Sequence, residues 1–422
     1  MNAQKSSRAP VAAGGLNDGL GNTVWALLVL LAAPLIGSGA SALVWIASVG
    51  GVFRLLRLPA GVRIPREIIY CAIAFASLFL AEAISGALHW RGAVTVAELS
   101  ENLVFFGLLP LYVLFERDRN LLLAELRNAA PHFGLLALVI AVVQQYFGVR
   151  PEGGAGNAGV FAIVCSLVFV FCSLQLIARG DDDRSGSVSR DLAGFVASAA
   201  AVLMSGSRAL WPVLIAVPIL IAVTGRSISR RLIFGVSVAL LFVVGAAALG
   251  PPGQRVLEGM QDLRLIQTGD YSTSFGKRLV VWQVGMEAVR EAPWFGQGPD
   301  APRRLMLERT AEVGGQRLGY NHFHNFVLNE WVRAGIPGLL AVAAMFLAPL
   351  LLTWRNRHRD ATALAAFQLV ASAQIVFVAT GLFNILFDHD IVDALFVAVH
   401  ALALYLSFGG TIRKPVLPTY AA

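Results

Sequence analysis

Residues 157–178 decide the fold class, and their sequence is NAGVFAIVCSLVFVFCSLQLIA. The stretch contains no Asp, Glu, Lys or Arg. An α-helix rises about 1.5 Å per residue, so about 20 apolar residues cross the roughly 30 Å hydrocarbon core of a bilayer. We therefore predict that this segment is a membrane-spanning helix.

Comparable apolar runs recur along the chain. Hydrophobic residues make up 57% of the 422 residues and charged residues 14%, a more apolar balance than the core of a soluble domain requires. The sequence predicts an all-α polytopic membrane protein with about twelve transmembrane helices and one large loop that contains short amphipathic helices. The predicted transmembrane helices cover residues 23–37, 41–56, 67–88, 97–115, 132–148, 157–178, 191–206, 209–224, 232–249, 335–354, 361–384 and 390–408.

Three regions follow from this segmentation. Residues 1–249 form an N-terminal transmembrane region of about nine helices, residues 250–334 form the large loop, and residues 335–422 form a C-terminal transmembrane region of about three helices. The segment Gly37–Gly39 divides the first two predicted helices, and one long, tilted helix with a break is the alternative.

The positive charges predict the orientation, because short cytoplasmic loops are enriched in Lys and Arg. Alternate loops hold twenty of the 33 Lys and Arg residues, whereas the short loops on the other side hold only Arg91, Arg150 and Arg208. Both termini are therefore predicted to be cytoplasmic. The large loop is predicted to lie outside, in the periplasm of a cell with two membranes.

The composition also argues against several classes of protein. The formal net charge of +7 comes from short basic clusters between apolar runs, so it indicates topology and no nucleic-acid partner. Cys71, Cys165 and Cys172 are odd in number and lie within apolar runs. This pattern favours packing residues over a disulfide framework or a thiolate metal site.

Arg278 is the first candidate for ligand binding. Apolar and charged residues alternate over 279–290 as in an amphipathic surface helix, with Arg278 at its N-terminal edge. Helix N-termini attract anions, so an anionic ligand shared by Arg278 and the helix end is one interpretation. An exposed loop arginine is the other.

Arg208 is the second candidate, because it stands between two predicted membrane helices with almost no loop around it. Arginines at the membrane boundary are costly and commonly pair with an anion. The alternative is an anchor whose side chain extends to the interface.

His324 and Asn325 begin a short amphipathic segment that leads into Gly335, Gly338 and the next membrane helix. A histidine titrates near pH 6.5, so it can accept a proton from a hydroxyl at neutral pH. A structural histidine is the commoner case, and His322 is a second candidate in the same segment.

Three other groups are weaker candidates. The run Asp181–Asp183 has the spacing of metal-dependent sugar-nucleotide transferases, but a solvated charge run in a basic cytoplasmic loop is the favoured interpretation. The trio Asp388–Asp390 either lines the same cavity as the candidates above or caps a helix. Glu82, Glu98 and Glu101 are expected to pair within the bundle.

His324, Asn325, Gly335 and Gly338 match a signature of the O-antigen ligase and polymerase family of bacterial envelope proteins. The signature is a histidine, then Asn, Ser or Gln, nine residues, Gly, two residues, and Gly, Thr or Tyr. At those spacings, the chain resembles the ligase type.

Further stretches carry the same resemblance. Residues 278–282 and 291–298 are similar to the family's approach to its large loop, and Ser205-x-Ser207-Arg208 resembles its membrane-edge arginine motif. The clear resemblance covers roughly residues 200–345. One departure is residues 156–159, Gly-Asn-Ala-Gly, where the family often has a Gly-x-x-Asn-Pro-Asn turn.

The resemblance implies a lipid-linked glycan transferase of the bacterial inner membrane that uses no nucleotide, metal or other cofactor. Its donor is an undecaprenyl-diphosphate-linked glycan in the membrane lipid, and its acceptor is lipid A core or another glycan. Arg208 and Arg278 are the expected diphosphate ligands. His324 is the expected catalytic residue, which either takes a proton or only binds the acceptor, and His322, Asn325, Gly335 and Gly338 position the acceptor or the loop.

Other functions remain open at this level. A polymerase that joins lipid-linked repeat units, or a transferase that places the glycan on a protein, fits the same family. A transporter is disfavoured because its charges are expected near the bilayer midplane, whereas these candidates gather at the outer edge.

Overall fold

A computed structural model describes residues 20–59, 63–177, 188–225, 235, 261–262, 264–315, 317–384, 386–387 and 389–409. Within these ranges the chain forms helices and turns and no β-strand. Eight of the described helices are long and apolar enough to cross a membrane. The prediction of an all-α, multi-pass membrane protein is therefore confirmed, while the count of twelve stays a prediction.

Several predicted features fall outside the described ranges. They are most of the helix expected at 232–249, the run Asp181–Asp183, Asp388 and both chain termini.

The helices are numbered in chain order. They are α1 (Leu20–Ala26), α2 (Ala33–Ile36), α3 (Ser38–Leu56), α4 (Arg66–Leu88), α5 (Ala93–Glu101), α6 (Leu108–Leu114), α7 (Arg119–Tyr146), α8 (Ala158–Ile177), α9 (Val188–Met204), α10 (Val213–Thr224), α11 (Ser274–Glu291), α12 (Ala301–Gly314), α13 (Phe326–Asn356), α14 (Ala361–Gly381) and α15 (Asp390–Phe408).

Two helices form the centre of the bundle. Helices α8 and α15 are buried over 94% of their most apolar stretch, because they are apolar on every face and neighbouring helices surround them. Outer helices such as α3 and α4 keep apolar side chains exposed, including Ile46 and Ile73. These exposed faces fit lipid contact.

Glycine defines the first break and one of the closest helix contacts. Gly37 has φ +52° and separates α2 from α3, as the sequence suggested. At the contact of α7 with α9, a Cβ added to Gly134 would lie 2.4 Å from the carbonyl oxygen of Gly194. Small residues of this kind let membrane helices approach closely.

The basic loops meet at one end of the bundle. Arg54 pairs with Glu116, and Arg119 pairs with Asp360. The Tyr405 hydroxyl donates to the Arg117 carbonyl over 2.6 Å at the same end. We call this the basic end.

A smaller hydrophobic cluster lies at the opposite end, where α13 begins. Helices α11 and α12 pack against the first turns of α13 and bury Val281, Val284, Leu305 and Phe323. We call this the site end. Helix α13 then runs from the site end to the basic end, with a kink at Gly335.

Candidate active site

The start of α13 holds His324 in an unusual backbone conformation. The Asn325 side chain accepts a hydrogen bond from the Leu328 amide at 3.1 Å and caps the helix. His324, one residue earlier, has φ +51°, a left-handed conformation that is uncommon outside glycine. Such strain persists only where the surroundings impose it, and it is concentrated at functional sites.

The two motif glycines lie around the kink of α13. Gly335 has φ +66°, and a Cβ there would lie 2.3 Å from the carbonyl oxygen of Trp294. A Cβ on Gly338 would lie 2.8 Å from the Glu330 carbonyl oxygen. Glycine at 335 therefore lets the preceding loop contact the kink directly, and glycine at 338 leaves room for the preceding turn of the same helix.

That loop is the stretch 291–298, which satisfies the backbone groups that the kink leaves without helical partners. The Ile336 amide donates to the carbonyls of Pro293 and Trp294, both at 3.2 Å, and the Gln297 amide donates to the Val332 carbonyl at 2.7 Å. Two motifs that are separate in sequence thus form one structural unit at the site end.

A buried ion pair joins this unit to α4. Arg333, which is 1% exposed, donates from Nη2 to Glu82 Oε2 at 2.7 Å, and its Nη1 lies 3.7 Å from Glu98 Oε2. The Ser85 hydroxyl donates to the Arg333 carbonyl at 2.6 Å. The expectation that Glu82 and Glu98 pair within the bundle is confirmed, and the same expectation for Glu101 stays a prediction.

Arg278 differs from its predicted position. Helix α11 begins at Ser274, and the Thr273 hydroxyl accepts from the Gly276 amide as its cap. Arg278 therefore lies beyond the first turn, and the prediction that it stands at the helix N-terminus is wrong. The local reason is that Thr273 supplies a cap five residues earlier than the apolar pattern indicates.

Arg278 lies in a positively charged environment. Burial and the neighbouring charge of Arg208 lower the pKa of Arg278, while Tyr320 and Asp262 oppose this shift. An arginine keeps its proton at neutral pH even so. Two cations therefore share one region of the site end, which favours binding of an anion there.

Arg208 emerges from a tight turn after α9. Gly206 has φ +71°, and the Ser207 amide donates to the Ser205 hydroxyl at 3.2 Å. A short 3-10 turn, Arg208–Leu210, follows, and Arg208 Nη2 lies 3.8 Å from Asp262 Oδ2. The Ser-x-Ser-Arg motif is thus the turn that brings Arg208 to the site end.

His324 lies near the arginines. Burial lowers the pKa of His324 to about 3, and the charges of His322 and Arg278 contribute, while a side-chain hydrogen bond with Asn384 opposes the shift. Its Nδ1 lies 3.1 Å from His322 Nε2, and its ring contacts the Tyr320 ring with centroids 4.8 Å apart. His324 is therefore a neutral imidazole in this state.

The structure brings the three predicted residues together. The charge of Arg208 lowers the pKa of Arg278, and the charge of Arg278 lowers the pKa of His324. In sequence, 116 residues separate Arg208 from His324. The motif residues Asn325, Gly335 and Gly338 lie in the structure that supports them, and His322 contacts the His324 ring directly.

Sequence reasoning missed Asn384, which follows α14. A Cβ on Gly159 would lie 2.6 Å from Asn384 Nδ2 and 3.1 Å from Asn157 Oδ1. The 156–159 segment therefore lies against the residue that hydrogen-bonds His324. Its departure from the family turn was the one sequence signal near this contact, and nothing in the sequence connected it to Asn384.

His389 and Asp390 have a different location. They line a cavity of about 200 Å³ with Trp45 and Glu101. The His389 amide donates to Asp393 Oδ2 at 3.1 Å, at the start of α15. His389 occupies the N-cap position of α15, where its side chain makes no capping hydrogen bond, and the Asp393 side chain bonds the helix start instead.

Comparison with known proteins points to one family. Residues 193–343 match the O-antigen ligase family. A protein named O-antigen ligase from Pseudomonas aeruginosa is 30% identical over 90 residues, 21% of each chain. An uncharacterized protein from Haemophilus influenzae is 24% identical over 269 residues, 61% of this chain and 65% of that one.

The matched segment contains every residue singled out above for catalysis, diphosphate binding or positioning, from Arg208 to Gly338. The chain spans less than two thirds of the length of either relative. The family resemblance predicted from sequence is confirmed over this segment. Residues 193–343 of this multi-pass membrane protein are therefore similar to the O-antigen ligase family.

Proposed function

We propose that the protein is a ligase-type glycosyltransferase that moves a glycan from undecaprenyl diphosphate to an acceptor hydroxyl, that of lipid A core, at the periplasmic face of the bacterial inner membrane. The observation that carries this proposal is the grouping of Arg208, Arg278 and His324 at the site end, inside the matched family segment.

The two arginines suit the leaving group. Guanidinium groups form bidentate, charge-assisted hydrogen bonds with phosphate oxygens. Arg208 and Arg278 disfavour each other electrostatically, with Asp262 as a nearby opposing charge. A bound diphosphate would offset that repulsion and stabilise the negative charge that develops as the donor bond breaks.

His324 suits the acceptor. The acceptor oxygen forms a bond to the anomeric carbon while the bond from that carbon to the phosphate oxygen breaks, and the diphosphate leaves with the electron pair. The proton of the acceptor hydroxyl passes to His324, which is neutral and able to receive it. These steps use only side chains of the chain, so the proposal requires no metal ion or nucleotide.

The order of binding follows from the same charges. Without donor, burial and the nearby positive charge make His324 a weak base. A diphosphate bound between the arginines adds negative charge beside the imidazole and raises its proton affinity. His324 therefore becomes an effective base only after the donor has bound.

The positions of the charged groups support the proposed orientation. The basic end contains Arg54, Arg119 and the other basic loops that the structure describes, and the site end contains the candidate residues. Short loops rich in Lys and Arg are cytoplasmic in most membrane proteins. We propose cytoplasmic termini, a periplasmic site end, twelve transmembrane helices in total, and the regions 1–249, 250–334 and 335–422.

Complementation tests this function. A strain that lacks the gene would express wild type, His324→Ala or Arg278→Ala at matched membrane levels, with Arg290→Ala as control because Arg290 is exposed on the same helix as Arg278. Gel analysis of lipopolysaccharide is expected to show a polymer ladder on lipid A core with wild type and with Arg290→Ala. The two site variants should accumulate undecaprenyl-linked polymer instead.

Other results would change the assignment. Cores with one repeat unit after loss of the gene indicate a polymerase, and glycan missing from a protein indicates a protein acceptor. Site variants that restore the ladder as wild type does would refute the proposed active site.

A further inference from the structure

We infer that Asn321 and His322 are positioning residues that hold His324 in the tautomer with a proton on Nδ1 and a lone pair on Nε2. This inference rests on the proposed function, because it concerns the residue that accepts the proton. It adds Asn321 to that site and gives the hydrogen bonds of His322 a defined direction.

The first step is the contact between Asn321 and His322. Asn321 Oδ1 lies 2.6 Å from His322 Nδ1. An amide oxygen has lone pairs and no proton, so His322 Nδ1 must carry the hydrogen that makes this bond. A neutral His322 then has an unprotonated Nε2.

The second step is the contact between the two histidines. His322 Nε2 lies 3.1 Å from His324 Nδ1, within hydrogen-bond range. Because His322 Nε2 is an acceptor, the proton between the rings belongs to His324 Nδ1. A neutral His324 therefore presents an unprotonated Nε2.

The third step concerns what surrounds His324 Nε2. Each ring nitrogen makes one in-plane hydrogen bond, so with Nδ1 bonded to His322 the Nε2 atom is left for the acceptor hydroxyl. Arg278 on α11 and Tyr320, which lies in the same loop as His324, also face the ring. Arg208 and Asp262 lie near Arg278. His322 Nε2 lies within hydrogen-bond distance of His324 Nδ1, so His322 accepts the hydrogen bond from Nδ1.

The other tautomer of His324, with the proton on Nε2, would present an N–H group to a hydroxyl that must lose its own proton. A correctly placed general base contributes roughly 10²-fold to 10⁴-fold in rate. We call the hydrogen bonds from His324 through His322 to Asn321 the relay. Loss of the relay should therefore lower kcat by at least about 10²-fold while the KM for the donor changes little.

The first test is the pair His322→Gln and His322→Leu in the full-length protein reconstituted in vesicles with polyprenyl-linked glycan. The Gln carbonyl can accept from His324 Nδ1, so this variant should retain far more activity than His322→Leu. His358→Leu is the control, because His358 is exposed at the other end of α13. Equal losses in the Gln and Leu variants, or no loss in either, would overturn the relay.

The second test fixes the direction of the relay. Asn321→Asp leaves only an acceptor beside His322 Nδ1, so activity should persist. The added negative charge stabilises the imidazolium of His324, so the acid limb of the pH profile should move to higher pH. Abolished activity in Asn321→Asp would mean that the amide donates and that the hydrogen bonds run the other way.

A third measurement does not depend on catalysis. Nitrogen-15 NMR of labelled histidine in the reconstituted wild type should show His324 protonated at Nδ1 and bare at Nε2, with the assignment made from the His324→Gln variant. The opposite tautomer refutes the relay even if transfer is normal. If wild type transfers no glycan but the tautomer is as stated, the proposed function fails and the positioning inference stands.

Discussion

Arg333 on α13 and Glu82 on α4 form an ion pair with Nη2 and Oε2 2.7 Å apart, and both side chains are 1% exposed. The pair connects the helix that begins beside His324 to a helix from the N-terminal region. The two buried charges stabilise each other, because either charge alone would be costly to bury.

Removing one partner should therefore destabilise the fold. We expect Arg333→Met or Glu82→Gln to lower the free energy of unfolding by about 3–5 kcal/mol, since the remaining buried charge loses its closest ionic partner. The double variant should lose less free energy of unfolding than the sum of the losses in the two single variants. Thermal unfolding in detergent would measure this, with Arg303→Met as an exposed control. Fully additive losses would mean that the pair is not coupled.

Gly335→Ala should disrupt the kink of α13. The new Cβ would lie 2.3 Å from the Trp294 carbonyl, at a backbone φ of +66° that costs a non-glycine residue about 1–3 kcal/mol before any clash. We expect reduced amounts of folded protein in the membrane and a lower melting temperature. Gly319→Ala is the matched control, because nothing lies within 4 Å of a Cβ there. A normal melting temperature in Gly335→Ala would contradict the steric argument.

Stability should depend on pH through His324. Its pKa of about 3 in the folded protein lies below the unfolded value of 6.5, so the unfolded state binds more protons between these values. This contribution is complete above pH 6.5 and is lost as the pH falls, with a slope of about 1.4 kcal/mol per pH unit.

Denaturation of wild type and His324→Gln between about pH 4.5 and 7.5 would measure that slope. The variant should lose the contribution, so its stability should vary less with pH. His358→Gln, which changes an exposed histidine, should behave as wild type. Parallel curves for all three proteins would show that His324 is not held neutral by burial.

Donor binding should depend on Arg278 specifically. Arg278→Gln removes charge-assisted hydrogen bonds worth about 1.5–3 kcal/mol, so the Kd for a polyprenyl diphosphate should rise by about 10-fold to 150-fold. Arg278→Lys should recover only part of this loss, because an ammonium group does not form the planar, bidentate contact. Calorimetry in nanodiscs would provide the values. A similar loss in the exposed variant Arg290→Gln would indicate a general charge effect.

Much of the fold could be predicted from the sequence because it depends on local properties. Apolar runs of about 20 residues dictate membrane helices wherever they occur, since the backbone must satisfy its own hydrogen bonds in lipid. Asn325 likewise acts through the conformation of its own segment, because its side chain caps the helix that follows it. These features needed no knowledge of distant residues.

The contacts that complete the site come from tertiary structure. Asn384 meets His324, and Arg333 meets Glu82, through helix packing that no periodic pattern encodes. Arg278 was placed wrongly because Thr273 starts the helix before its apolar pattern begins. The sequence alone determined which segments form apolar helices and which residue types are candidates for the chemistry. Only the packing decided which side chains meet, because long-range contacts depend on how helices are rotated and crossed rather than on local sequence.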